Sequence, residues 1–467
     1  MKHLRRGRRT LGLLLAIGTL TATSLAADPW GETRSHLIPS TLADRLDPKV
    51  QNLLFLTPAA YLRPVTLRLA PLEGKSVTFV VRKVRSGPED QTLWEFRLDI
   101  GQPYSAGCWI IFRDGLDRIR EVRILLTAPV EPSGDLFANT GTWVRLTPKD
   151  GGPTSRMDLF VAGRLVWGGW QIPASLAEIL RSPEESLWSA TAQEVPWSAL
   201  IPQRTPGDEQ VEHFATLVEH ALSQIPQTRW GLWVPDPRGD AQGTDATGKP
   251  WGLWTSLENY QLPERGLGPW GSTAWLTDSL CRAWNFPIPS VQDLLRPQSH
   301  LPGYSPAAPG DSPDHDPSLS LDWIRNLGLT LAQGLAPDRK LTSDGADVLK
   351  VPFLDAEPQT GFNVDDLGPV LELLTAQHPG RIYFAGLNQQ NLNQGMAGAV
   401  RFLEPAILFP WVGQDGNLHL KVISGTKTVP WQTWLGPLGQ PAGRRADHIL
   451  LVAVDLPPEG FPLLKLP

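Results

Sequence analysis

A change of hydrophobic period near residue 172 constrains this chain more than any other feature. From about Val65 to Trp170 apolar residues recur at every second position, most cleanly where Trp94, Phe96, Leu98 and Ile100 alternate with Glu95, Arg97 and Asp99. A strand sends successive side chains to opposite faces, so this spacing predicts strands with one buried and one wet face. Further strands are expected at Ser76 to Val84, Gly107 to Phe112, Arg118 to Leu126, Thr142 to Leu146 and Met157 to Trp167, with Asp114-Gly115 as a hairpin signal. Short strands at this spacing imply an antiparallel β-sandwich or barrel over residues 45–172.

Beyond residue 172 the spacing becomes helical. Pro173 to Arg181 reads as a short helix, and Val211, Phe214, Leu217, Val218 and Leu222 form a stripe, making residues 173–229 a helical bridge. Residues 230–467 then read as an α+β domain, with helices first and strands later. A loop-rich stretch from Trp230 to Gly268 leads into a helix from Pro269 to Trp284. Proline suits that start, since its missing N–H has no helical partner there anyway. His300 to Pro317, rich in Pro, Ser, Gly and Asp, reads as an exposed loop. Helices are expected at Leu319 to Gln333 and Asp365 to His378, and strands at Ile382 to Leu387, Ala406 to Trp411, Leu418 to Ile423 and Ile449 to Val454.

The first 26 residues read as a cleavable export signal: Lys2, Arg5, Arg6, Arg8 and Arg9 precede an apolar Leu11 to Leu20, and Ser24-Leu25-Ala26 offers small residues for cutting after Ala26. The apolar stretch is short for a membrane anchor, which needs about 20 residues. Arg8-Arg9 leaves both the general and the twin-arginine routes open. The expected product is a periplasmic or secreted protein with no membrane span after cleavage. Loss of five basic residues from 42 leaves 37 against 48 acidic ones, a net charge of −11, which gives no reason to expect a nucleic-acid partner. Two cysteines, Cys108 and Cys281, are too few for a disulfide framework or a thiolate metal site, and free buried thiols are expected at least as readily as one disulfide. The 19 tryptophans are scattered, which favours cores and seams over a repeated sugar-stacking module.

One segment carries a family resemblance. Gly266-Leu267-Gly268-Pro269-Trp270-Gly271-Ser272-Thr273-Ala274-Trp275 resembles the helix-opening motif of NlpC-like, papain-type cell-wall hydrolases. In that family a cysteine stands at the helix N-terminus, where the dipole favours thiolate, and a histidine from a later strand completes the pair. Here the nucleophile position reads Pro269. The strand Ala406 to Pro410 looks like the histidine strand, and the position before it reads Glu404, with His419 on the next strand nearest to the third, orienting group. The resemblance implies a papain-like α+β fold over residues 230–467 that has lost its catalytic pair and acts in binding. Its partner would be peptidoglycan or another envelope protein, with Trp251, Trp254 and Trp270 as ligand-stacking candidates.

Two other readings stay open. An active glycan or peptidoglycan hydrolase would use two carboxylates across a cleft, drawn from Glu258, Glu264, Asp278 and Glu404. A structural or interaction protein would recognise its partner through the β-rich half. No cofactor or metal is expected. Asp311, Asp314, His315 and Asp316 fall in the proline-rich loop without a known ligand spacing, His213 and His220 stand two helical turns apart, and Asp236, Asp240 and Asp245 lack the pattern of a calcium loop. Cys281, three turns into its helix, is expected to be a packed thiol.

Overall fold

In a computed structural model, residues 1–64, 128–140, 233–254, 257–266, 298–318, 391–399, 436–447, 457–462 and 464–467, with breaks of one to four residues elsewhere, fall outside the described part of the chain. The described residues form a mixed α+β structure with a large antiparallel sheet. The expected signal, the His300–Pro317 loop with its acidic residues, and Asp236, Asp240 and Asp245 lie outside them.

The period-two region folds as eight strands, β1 (Val65–Leu72), β2 (Lys75–Ser86), β3 (Gln91–Ile100), β4 (Trp109–Arg113), β5 (Ile119–Leu125), β6 (Trp143–Pro148), β7 (Ser155–Val161) and β8 (Arg164–Ile172). Each pairs antiparallel with the next in sequence order. The single strand expected from Met157 to Trp167 is a hairpin, turning at Ala162 and Gly163 with Val161 opposite Arg164. Both turn residues have positive φ, 46° and 77°, which suits the tight two-residue turn that matches strand twist.

One face of this sheet enters the main core through Phe96, Ile111, Val122, Val144 and Leu159. The other face, expected to be wet, is buried at its centre: Glu95 is fully buried and Arg97 and Asp99 are each 5% exposed. The charges satisfy one another there. Arg97 bonds both Glu95 and Asp99, Arg82 Nε bonds Glu95 at 2.7 Å, and the Tyr104 hydroxyl donates to Glu95 at 3.1 Å. Further along, the Arg123 guanidinium lies 4.6 Å from the Trp143 ring, which stacks on Phe160 at 3.9 Å. Alternation identified the face correctly, but ion pairs and Arg–aromatic stacking make it dry.

Four helices follow, α1 (Leu176–Arg181), α2 (Glu184–Thr191), α3 (Trp197–Leu200) and α4 (Pro206–Ser223). The last begins five residues before its apolar stripe because Thr205 and Asp208 cap each other reciprocally and Pro206 occupies the first turn. The Asp208 carboxylate also accepts the Val412 N–H at 2.9 Å, anchoring that helix start to the second sheet. His213 and His220 are exposed on α4.

The remaining elements are β9 (Gly231–Leu232), β10 (Thr255–Ser256), α5 (Pro269–Trp284), α6 (Val291–Leu294), α7 (Leu319–Leu335), β11 (Lys350–Val351), β12 (Leu354–Asp355), β13 (Phe362–Asn363), α8 (Leu367–Gln377), β14 (Arg381–Gln390), β15 (Val400–Val412), β16 (Leu418–Ser424), β17 (Lys427–Val429), α9 (Trp431–Trp434) and β18 (His448–Asp455). Six of the strands form a second antiparallel sheet, ordered β13-β18-β14-β15-β16-β17. Its central strands are apolar without alternation because both faces are covered. Tyr383, Ala385 and Leu408 face the core shared with the first sheet and α8, whereas Ile382, Phe384, Ile407 and Phe409 face a second core with α4, α5 and α7.

Candidate functional site

Helix α5 is the structural centre of the resembling segment, and every residue from Pro269 to Cys281 is buried. Its polar side chains tolerate this by bonding the helix itself. Ser272 Oγ donates to the Pro269 carbonyl at 3.0 Å, Thr277 to Thr273 at 3.0 Å and Ser279 to Trp275 at 2.9 Å. Thr273 bonds the Trp270 carbonyl at 2.8 Å and accepts the Trp323 indole N–H at 3.1 Å, tying α5 to α7.

The start of α5 is fixed by backbone contacts. The Leu267 N–H donates to the Pro226 carbonyl at 3.0 Å, and Gly268 stands at the N-cap in extended conformation with no side-chain cap. Leu267 bridges Gln227, whose side chain lies against Gly425, so that a Cβ there would sit 3.1 Å from its Nε2. Gly425 comes two residues after Ile423, which pairs with Ile407. The helix therefore opens at the end of β15 that carries Pro405 and Glu404.

That end of β15 is irregular. Gly386 pairs with Pro405 and Asn388 with Phe402, so Leu403 and Glu404 together stand opposite Leu387. Such a bulge bends the strand and changes where its residues aim. Pro269 and Glu404 thus belong to one end of the second sheet. His419 does not, because it pairs with Trp411, seven residues beyond Glu404 and about 23 Å away along the strand. It is exposed, stacked on Trp411 and 3.0 Å from Asp415. The register separates it from the place where an orienting group would be needed.

The other candidates are distributed as follows. Trp270 is buried at the α5 start, whereas Trp251, Trp254, Glu258 and Glu264 lie outside the described residues. Asp278 is buried and engaged with Arg282 at 2.9 Å. Cys108 and Cys281 are both free and buried. Burial, then the neighbouring Asp278, pushes the Cys281 thiol up to about 12, so it is protonated and inert at neutral pH.

Sequence reasoning passed over Glu372, a buried carboxyl on α8 held by the Thr142 hydroxyl of the first half. Its signal was a lone acid inside the apolar run Pro369-Val370-Leu371-Glu372-Leu373-Leu374. Among the described residues no cluster of His, Cys, Asp and Glu could hold a metal ion, and no helix is long and apolar enough to cross a membrane. No family model, curated protein or solved structure matches the chain.

Proposed function

We propose that this chain is an exported cell-envelope protein, periplasmic or secreted, whose residues 230–467 form a papain-type arrangement of the NlpC-like kind that binds its ligand without cutting it. The supporting observation is the start of α5. A buried proline occupies the first helical position, and the neighbouring Ser272 and Thr273 hydroxyls are used up on helix carbonyls. A helix N-terminus set against an antiparallel sheet would favour a thiolate there, yet the residue present has no nucleophilic atom. In this reading the β-rich half, 45–172, is a companion module, and the ligand is peptidoglycan or another envelope protein.

The test uses the mature chain, residues 27–467, mixed with purified peptidoglycan sacculi. Cosedimentation without release of soluble muropeptides is expected. Muropeptide release by the unaltered protein would end the non-cutting reading, and failure to pellet would remove peptidoglycan as the ligand. A carboxylate-pair hydrolase gains no support from Asp278, whose carboxylate is buried against Arg282.

A further inference from the structure

The first sheet meets α8 along a seam made by Thr142, the β7–β8 turn and the first turns of that helix. Ala162 at the turn is so close that a Cβ on Gly368 would lie 3.2 Å from its own. The Thr142 hydroxyl donates to Glu372, and the Ala162 N–H bonds both Glu372 and Thr142 Oγ. The Thr142 N–H in turn donates to Thr127 Oγ at 2.8 Å, so the contact is stiff on the sheet side.

No cation among the described residues compensates this carboxyl. On the 3-10 turn before α8, Asp365 and Asp366 share Arg164 of β8. The charges of β7, Arg156 and Asp158, pair with each other on the opposite sheet face, where Asp158 also binds Arg145. On β11, Lys350 is exposed and 3.8 Å from Asp355. Helix α3 (Trp197–Leu200) carries no titratable side chain, and neither does the described stretch of β15 from Pro405 to Val412. His378, at the far end of α8, lies beside Arg381 and Asp455.

We propose that Glu372 is a proton-operated clasp: with its carboxyl neutral the β7–β8 turn and Thr142 stay seated on α8, and ionisation opens that seam locally. An ionised carboxylate held by two neutral donors in a dry interface is poorly compensated. Burial accordingly pushes the acid up to about 7, against the opposing pull of the Thr142 and Ala162 bonds. Because the closed-state value lies above that of the open state, the clasp's stabilisation is complete below the ordinary carboxylate range. It is lost as pH rises through 7.

Amide hydrogen exchange on the full mature chain tests this in peptides covering residues 141–144, 161–164 and 367–375, corrected for intrinsic exchange. With the carboxyl at about 7 when closed and in the ordinary carboxylate range when open, the opening constant is expected to rise about 30-fold between pH 5.5 and 8.5. Glu372→Gln, which keeps the shape but cannot ionise, is expected to remove the rise, and Asp366→Asn is expected to leave it. A flat wild-type profile, a rise that survives Glu372→Gln, or one that vanishes with Asp366→Asn overturns the proposal. Should Glu372→Gln not fold, Thr142→Val supplies the second readout. Loss of the bond that holds the ionised form must move the rise to higher pH, and an unmoved profile is again a refutation.

Discussion

Replacing Arg97 by Met should be among the most damaging single changes in the β-rich half. The Arg97 guanidinium sits 3.5 Å over the Tyr104 ring and is bonded to Glu95 and, at 2.8 Å, to Asp99. Without it Glu95 still has Arg82, but among the described residues Asp99 retains only the Tyr104 N–H at 3.2 Å. Stranding one buried carboxylate costs about 3–5 kcal/mol, the range for breaking a buried ion pair. Arg97→Lys keeps the charge but cannot span both carboxylates and cover the ring; losing one charged hydrogen bond costs about 1.5–3 kcal/mol. Replacing Glu95, Arg97 and Asp99 together with apolar residues of similar size should cost less than Arg97→Met alone, because no charge is left stranded. Urea unfolding at pH 7, followed by near-ultraviolet circular dichroism with the denaturant slope held constant, measures all three. If Arg97→Met and Arg97→Lys both stay within about 1 kcal/mol of wild type, a surface pair's value, the face is wet and the reasoning fails.

Three further outcomes follow from equally local geometry. Asp347→Ala removes the carboxylate that holds Arg325 by a 2.6 Å bond, with side chains 0% and 3% exposed; a loss of about 3–5 kcal/mol is expected, shrinking when Arg325→Met is added. Gly361 has φ +95° and a Cβ there would lie 2.1 Å from the Ile449 carbonyl oxygen, so Gly361→Ala should break the β13–β18 pairing and lower the melting midpoint by at least about 2 °C. Cys281, its thiol pushed up to about 12 by burial and then by Asp278, should resist iodoacetamide at pH 8 in the folded chain and react in 8 M urea; fast native labelling would mean the helix is not packed as described.

What the sequence revealed and what it hid follow from the range of the forces involved. The helix from Pro269 to Trp284 was legible at its start because proline suits the first turn, and the structure ends it at Asn285, in a left-handed conformation at φ 57°. Four of the six strands of the second sheet, β14, β15, β16 and β18, were expected from the sequence; β13 and β17, two and three residues long, carry too short a pattern to read. The β7–β8 turn was hidden because Ala162 adopts a positive φ usually left to Asn, Asp or Gly, and a neighbouring Gly163 alone did not divide the run. At the candidate site, the motif named Pro269, Glu404 and His419 without a distance between them; the β15–β16 hairpin, closed by the bond from the Gly413 N–H to the Asn417 carbonyl, pairs His419 with Trp411 and so sets it seven residues along the strand from Glu404. Glu372 could be seen only as an acid among leucines; its partner, Thr142, is 230 residues away.

The same long-range packing implies that the two halves fold together. Val122 and Leu159 of the first sheet, Leu367, Val370, Leu371, Leu373 and Leu374 of α8, and Tyr383 and Leu408 of the second sheet belong to one continuous core. At about 1.5–3 kcal/mol for each fully buried aliphatic side chain, those five α8 residues contribute about 8–15 kcal/mol. That is comparable to the whole stability of a typical domain, about 5–15 kcal/mol. A fragment ending at residue 229 would keep the first sheet and lose its lid. It is expected to lack a cooperative melt, while residues 27–467 are expected to show a single calorimetric transition whose van't Hoff and calorimetric enthalpies agree. Two resolved transitions in the full chain, or a dispersed amide spectrum from residues 27–229 alone, would show that the first sheet closes its own core, and the α8 layer would then be a docked neighbour instead of a shared interior.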